Sequence, residues 1–403
     1  MTENSGDSKP RSDPAGTDPG DSSLDTSESG RGKSSADSLR YFKNKVRYRR
    51  EGVLGRGGMA VVYRYVDEYF QRGIALKKLR PERRNPNHIK EFVKEARIIG
   101  QLEHPGIIHV HDLNLKKQDD PLITMSIAEG EPLNKVIDRY RDDPNSWKLA
   151  DRVSMFGKLV DILDYAHNKG FIHRDLKPSN ISVGPLGEVT VLDWGLAKQL
   201  DSEDRLMGEE GVGDISQTLD GTIKGTPFYM SPEAAKGLNA LVDEKSDLFS
   251  LGAILFECIY FRHLIKGSNV NEVLKNAMQS NYDTEGLDPT IIPEDLFYIL
   301  KKCIAPDRNK RYENLSQLAL DIYAYQNGLP LADFRHNYSY RIKKWFTRNW
   351  GQFLFLTLAG AGLLWLIGVL LLNIQQQVEQ IKHRAVSINE LKDKGAKFKQ
   401  SQL

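Results

Sequence analysis

The sequence contains only two cysteines, Cys258 and Cys303, among 403 residues. Both lie inside apolar helical patterns, so we interpret them as buried packing residues of a protein in a reducing compartment rather than as a disulfide. The sequence also has no excess of one charge, because 56 Lys and Arg face 54 Asp and Glu. A dedicated nucleic-acid-binding protein carries a much stronger basic field, so we expect no nucleic-acid partner.

Apolar residues are nearly absent from residues 1–40, which are rich in Ser, Asp, Gly and Pro. A segment of this composition cannot bury enough apolar surface to offset the entropy of ordering, so we predict a disordered N-terminal tail. No apolar run follows Met1, so this tail is not expected to be a signal peptide. The rest of the chain suffices for one two-lobed domain of about 250–300 residues and flanking segments.

Long uncharged runs are missing except over residues 353–372, FLFLTLAGAGLLWLIGVLLL. Twenty residues at about 1.5 Å each are long enough to span a bilayer core. Trp345 and Trp350 precede the run, as aromatic residues do at a membrane interface. We therefore predict a transmembrane helix here, with a buried core helix as the alternative.

Basic residues are unequally distributed around this run, with five before it and three in the twenty residues after it. The positive-inside rule then places the N-terminal side in the cytoplasm. We predict a single-pass protein of the cell (inner) membrane with a basic juxtamembrane linker over residues 329–350. The basic residues are Arg335, Arg341, Lys343, Lys344 and Arg348 before the run, and Lys382, Arg384 and Lys392 after it.

Residues 373–403 form a short tail that we expect to be extracytoplasmic. Apolar residues recur there at alternating steps of four and three, which is a seam of little more than two heptads. Such a seam is compatible with a coiled coil that joins two chains in a homodimer, and equally with an amphipathic helix on the membrane surface. The seam residues are Ile374, Val378, Ile381, Ala385 and Ile388.

A glycine-rich loop occurs in LGRGGMAVVY, residues 54–63. A dinucleotide-binding loop needs a helix after its glycines, but the β-branched and aromatic residues that follow here favour a strand. A Walker loop needs Gly-Lys followed by Ser or Thr, which is absent. The sequence therefore predicts a strand–glycine–strand hairpin, which by itself need not bind a ligand.

A lysine and a glutamate lie in the next two predicted elements. GIALKKL is a strand with Ala75 and Lys77 on one face, and PNHIKEFVKEARIIGQLEH is a helix with Glu95 at the edge of its apolar stripe. Glu95 is either a solvated flank of the helix or the partner of Lys77, which needs a counter-charge if it is buried. The apolar stripe consists of Ile89, Phe92, Ala96 and Ile99.

With these elements and three later motifs in order, the sequence resembles the protein kinases, specifically bacterial serine/threonine kinases of the eukaryotic (Hanks) type. The later motifs are HRDLKPSN at residues 173–180, DWG at 193–195 and SPE at 231–233. The resemblance covers residues 47–328. It implies an α+β, two-lobed kinase-like fold with a β-rich N-lobe at 47–125 and a helical C-lobe at 129–328, followed by the transmembrane helix.

The resemblance assigns roles to the motif residues. Asp175 would orient the substrate hydroxyl and accept its proton, and Lys177 would neutralise the γ-phosphate. Lys77 would bind the α- and β-phosphates and be held by Glu95. Asn180 and Asp193 would bind Mg²⁺, or Mn²⁺ as an alternative. The expected ATP-binding residues are Leu54, Gly55, Gly57, Gly58, Val62, Ala75, Lys77, Met125, Ser126 and Ala128.

Further residues are implied to support the catalytic machinery. Asp247 would hold the catalytic loop, Glu233 would pair with Arg311, and Thr226 would contact the catalytic residues and, with Lys177, favour Ser/Thr over Tyr substrates. Arg174 would bind a phosphate on the activation loop, for which the candidates are Ser216, Thr218 and Thr222.

The motifs depart from the family pattern at three positions. Ala60 replaces the third loop glycine, Ser231 replaces the alanine of APE, and Trp194 replaces the phenylalanine after the metal-binding aspartate. We expect Trp194 to pack against the helix that carries Glu95.

Two other functions fit the same fold. A pseudokinase usually loses a residue equivalent to Lys77, Asp175 or Asp193, and none is lost here. A small-molecule kinase is disfavoured by the complete GTPFYMSPE segment, which shapes a peptide-binding platform in protein kinases. We therefore expect protein Ser/Thr kinase activity with ATP, and autophosphorylation of the activation loop.

Overall fold

A computed structural model describes residues 47–115, 120–199, 227–283, 287 and 290–400. The predicted tail at 1–40 lies outside the described residues. So do the activation-loop candidates Ser216, Thr218 and Thr222, as well as Thr226. The fold class is confirmed, because the described residues form a β-rich lobe, a helical lobe and one long C-terminal helix.

The N-terminal lobe is a five-stranded antiparallel sheet with one helix. The strand order is β1-β2-β3-β5-β4. Helix α1, Pro86–Ile99, begins where the Asn85 side chain accepts a hydrogen bond from the His88 amide, and it ends before Gly100. It is therefore shorter than the predicted pattern, which continues to residue 104. The strands are β1 (Tyr48–Arg56), β2 (Ala60–Asp67), β3 (Arg72–Leu79), β4 (Val110–Asn114) and β5 (Leu122–Met125).

The C-terminal lobe is built around a buried helix, α5, in which every residue from Ser246 to Ile259 is buried. Cys258 and Cys303 are buried free thiols, as predicted. The helices of this lobe are α2 (Leu133–Tyr140), α3 (Leu149–Asn168), α4 (Pro232–Ala235), α5 (Glu244–Tyr260), α6 (Val270–Gln279), α7 (Glu294–Cys303) and α8 (Leu315–Gln326).

Five short strands carry the loops where chemistry is expected. β8 pairs with β6 and β9, and β10 pairs with β7. Residues 173–180 connect β7 to β8, and residues 193–195 follow β9, so the two motifs are placed by paired strands. The strands are β6 (Glu131–Pro132), β7 (Phe171–Ile172), β8 (Ile181–Val183), β9 (Val189–Val191) and β10 (Lys198–Gln199).

The last helix, α9 (Tyr338–Gln400), is 63 residues long and contains the apolar run. By length and composition it could cross a membrane, and the side chains of its apolar part are exposed rather than packed in a core. The helix begins at Tyr338 and so includes the second half of the predicted linker at 329–350. The tail from residue 373 continues the same helix, since no proline follows Pro330 to interrupt it.

Candidate active site

The glycine loop joins β1 and β2 in the predicted strand–glycine–strand hairpin. Its turn is closed by the Gly57 amide, which donates a hydrogen bond to the Ala60 carbonyl at 2.9 Å. A Cβ at Gly55 or Gly58 would meet no atom within 4 Å, so the loop borders open space. Its backbone can therefore approach a ligand closely.

Lys77 on β3 and Glu95 on α1 form an ion pair beneath this loop. Lys77 Nζ lies 2.5 Å from Glu95 Oε1 and 4.0 Å from Asp193 Oδ1. Both side chains of the pair are largely buried, so Glu95 is a partner of the lysine and not a solvated flank. Burial alone would lower the pKa of Lys77, but the charges of Glu95 and Asp193 raise it above its usual value. The lysine is therefore cationic at neutral pH.

Asp175 lies in the loop between β7 and β8, next to Lys177. Lys177 Nζ donates a hydrogen bond to Asp175 Oδ2 at 2.6 Å, which leaves the second carboxylate oxygen for another proton donor. Asn180 Nδ2 donates to the Asp175 carbonyl at 3.0 Å. Because its amide nitrogen is engaged in this way, Asn180 presents its carbonyl oxygen for other contacts.

The buried carboxylate of Asp247 on α5 holds this loop from below. It accepts hydrogen bonds from the His173 amide at 2.7 Å, the Arg174 amide at 2.9 Å and a ring nitrogen of His167 at 2.9 Å. Arg174 has φ of 68°, a left-handed conformation that a non-glycine residue rarely adopts. Burial would raise the pKa of Asp247, but the hydrogen bonds that it accepts from His167 and from the His173 amide lower it below the usual value.

Asp193 and Trp194 lie in the segment that follows β9. Asp193 Oδ1 accepts the Gly195 amide at 3.2 Å. Burial would raise the pKa of Asp193, but the charge of Lys77 and the Gly195 amide lower it, so the carboxylate stays ionised. Trp194 is fully buried, and its ring centroid lies 4.8 Å from that of His173 on the catalytic loop.

A cavity of about 630 Å³ lies between the glycine loop, the Lys77–Glu95 pair and Asp175, and its volume is within the range of small-molecule sites. Lys177 does not line it. All ten residues expected to bind ATP line it, together with Glu95, Asp175, Asn180 and Asp193. Met125 is the last residue of β5. The Ser126 amide donates a hydrogen bond to the His109 carbonyl at 2.9 Å, so this amide is already engaged within the protein. Ile108 and Leu192 also line the cavity and are not among the predicted residues, although the apolar residue directly before Asp193 indicates Leu192.

Buried side chains hold residues 227–235 in place. Arg311 donates to both carboxylate oxygens of Glu233, at 2.7 and 3.0 Å. The Tyr229 hydroxyl donates to Glu257 Oε2 at 2.5 Å. This second contact was not predicted, although an acid inside the apolar pattern FECIY could have indicated it.

The two-lobed fold brings together a Lys–Glu ion pair, a loop with adjacent Asp and Lys side chains, and two side-chain oxygens that could bind a metal ion. This arrangement defines a phosphoryl-transfer site of the protein-kinase type. A family model described as "Protein kinase domain" matches residues 48–321. The chain belongs to this family. Membership implies the use of ATP and a divalent metal ion.

Several bacterial kinases are similar to this chain. The serine/threonine-protein kinase PknD of Protochlamydia amoebophila is 32% identical over 295 residues, which cover 68% of this chain and 29% of that protein. PknD of Chlamydia pneumoniae is 31% identical over 69% of this chain and 31% of its own length. A probable serine/threonine-protein kinase of Streptomyces coelicolor is 33% identical over 71% of this chain and 41% of that protein. The chain thus spans about a third of the length of these relatives.

Proposed function

We propose that the protein is a serine/threonine protein kinase that transfers the γ-phosphate of ATP to hydroxyl groups of proteins. The observation that carries this proposal is the cavity that brings Asp175, Asn180, Asp193 and the Lys77–Glu95 pair together. The names of the relatives support Ser/Thr specificity, as does Lys177 two residues after Asp175.

In the proposed reaction, the substrate hydroxyl oxygen bonds to the γ-phosphorus while the bond to the β–γ bridging oxygen breaks and ADP leaves. Asp175 orients the hydroxyl and accepts its proton, and Lys177 offsets the charge on the transferred group. Lys77 fixes the α- and β-phosphates. The binding energy of these contacts is used mainly to align the reacting atoms.

The residues present suit a hard divalent cation, which we propose is Mg²⁺, with Mn²⁺ as the alternative. Asn180 offers a carbonyl oxygen, and Asp193 is kept ionised by its neighbours. The described residues contain no group of three or more His, Cys, Asp or Glu side chains that could hold a metal without phosphate. When bound, the cation would neutralise phosphate charge.

We also propose a membrane setting: a single span in the inner membrane, the kinase domain in the cytoplasm, and signalling through protein substrates.

We further propose autophosphorylation of the activation loop. Two chains brought together by the tail would phosphorylate each other at Thr218 and Thr222, with Ser216 as a further candidate. Arg174 would then pair with the phosphate. Mass spectrometry of the wild type and of Asp175→Ala tests this step. Phosphate on either threonine only in the wild type supports it, and full activity of a Thr218→Ala, Thr222→Ala variant contradicts it.

The activity itself is tested with labelled ATP, magnesium and a generic protein substrate, using the full-length chain in detergent. We expect label in phosphoserine and phosphothreonine of the wild-type product. Label confined to phosphotyrosine, or no transfer by a folded chain that binds ATP, would contradict the proposal, and the latter result would indicate a pseudokinase.

A further inference from the structure

The segment between the kinase domain and the membrane helix packs against the C-lobe. Leu331 is fully buried, and the Ala332 amide donates a hydrogen bond to Asp321 Oδ1 at 2.9 Å. Asp333 accepts hydrogen bonds from Tyr298 and Lys302, both on α7, the latter at 2.5 Å. The chain is thus attached to α7 and α8 before α9 begins.

The first turns of α9 continue this attachment through Asp295 at the start of α7. The Tyr340 hydroxyl donates a hydrogen bond to Asp295 Oδ1 at 2.9 Å, and Lys344 forms an ion pair with Asp295 Oδ2. Tyr340 and Lys344 are one helical turn apart, so they lie on the same face of α9. Asp295 is only 6% exposed, which shields both contacts from water.

We call the contacts of Tyr340 and Lys344 with Asp295 the clasp. The position of the clasp along α9 determines how far the C-lobe lies from the bilayer. The apolar run begins nine residues after Lys344, which is about 14 Å along a helix. The headgroup layer is about 5–8 Å thick on each side of a membrane. The α7 end of the C-lobe is therefore within about 10 Å of the headgroups.

The exposed side chains of the same stretch suit an anionic lipid surface. Arg341, Lys343 and Arg348 are exposed, and Trp345 and Trp350 are 52% and 60% exposed. Basic residues next to a span attract anionic headgroups, and tryptophan favours the interface. The charge of this stretch complements the surface that it would face.

We propose that the clasp of Tyr340 and Lys344 on Asp295 joins the membrane helix and the kinase domain into one rigid body, with the α7 end of the C-lobe facing an anionic lipid surface. The proposal rests on the proposed membrane span. The clasp would give the kinase domain a fixed orientation relative to the membrane helix. The active site would therefore stay at a constant height above the bilayer.

Distance measurements between two spin labels test the clasp in the full-length chain. Labels at Lys301→Cys on α7 and Thr347→Cys on α9 are placed at exposed positions, and both native thiols are buried. The chain is inserted into nanodiscs of phosphatidylglycerol and phosphatidylcholine. We expect one narrow distance distribution, and at least a doubling of its width in a Tyr340→Phe, Lys344→Met variant.

The matched control is Tyr338→Phe with Lys392→Met, which changes the same residue types at exposed positions of α9 outside the clasp and outside the basic stretch that faces the lipid. This variant should keep the narrow distribution. A wild-type distribution as broad as that of the clasp variant, or a clasp variant as narrow as the control, would overturn the proposal. Failure of the chain to float with lipid vesicles would instead contradict the membrane span on which it rests.

Discussion

At the scale of single residues, Asp247 links the C-lobe core to the catalytic loop. It accepts two backbone amides of that loop although it lies more than 70 residues away on α5. The left-handed Arg174 is maintained by one of these bonds. The position of Asp175, the next residue, therefore depends on a buried carboxylate that does not line the cavity.

Replacing Asp247 with Asn should lower the free energy of unfolding by about 2–4 kcal/mol at pH 7, because a buried charged acceptor is lost. The pKa of Asp247 is lowered from 3.8, so its contribution is present above that pH and is lost as the pH falls through the lowered value. Denaturant unfolding of the full-length chain in detergent measures this effect. The difference in the free energy of unfolding between the wild type and the variant should be constant above about pH 5 and shrink below pH 3.8. An unchanged difference at low pH would contradict this role.

At this scale the motifs predict which residues lie near one another, because each short motif carries its own spacing. Every residue expected to bind ATP lines the cavity. The Tyr229–Glu257 contact was not predicted, because the two residues are 28 positions apart. A linear pattern does not show that α5, which carries Glu257, faces the segment around Tyr229.

At the scale of elements, Arg311 connects three parts of the C-lobe. It donates to Glu233 on α4, to the Lys245 carbonyl on α5 and to the Ala305 carbonyl after α7. Its side chain is fully buried. The orientation of α4, which carries Glu233, therefore depends on one guanidinium.

Arg311→Met should destabilise the domain by about 3–5 kcal/mol, because it leaves the buried charge of Glu233 without its cationic partner, with the Ser246 hydroxyl still donating to Oε1. Combining it with Glu233→Gln should cost clearly less than the sum of the two single changes, since the second change removes the unpaired charge. Urea unfolding of the four proteins gives this comparison. Strictly additive losses would show that the two side chains act independently.

Element types were predicted better than element ends. The apolar stripe of α1 is on the predicted face, but the helix ends at Ile99 because the chain turns at Gly100. The continuity of α9 was not predicted, because the change from basic to apolar composition suggested a boundary where the backbone has none.

At the scale of the whole molecule, the order of the motifs along the chain predicted the two lobes. It could not predict the clasp of α9 on the C-lobe, because Asp295 and Tyr340 are 45 residues apart and neither belongs to a motif. Such contacts arise from tertiary packing alone.

The proposed topology predicts which part of the protein a protease can reach. In intact spheroplasts, protease added outside should cleave only after about residue 373 and leave the kinase domain whole, because the basic side of the span stays in the cytoplasm. Immunoblotting for each end of the chain measures this. Loss of the kinase domain before lysis would reverse the orientation.

The central claim is that Asp175 acts on the substrate hydroxyl within an assembled kinase site. Its most direct test is steady-state phosphoryl transfer by Asp175→Asn, with the exposed Asp142→Asn in the same lobe as control. We predict that kcat falls at least about a hundredfold, in line with general-base and positioning effects, while KM for ATP changes little. The control should match the wild type. Near-wild-type kcat for Asp175→Asn would contradict the account.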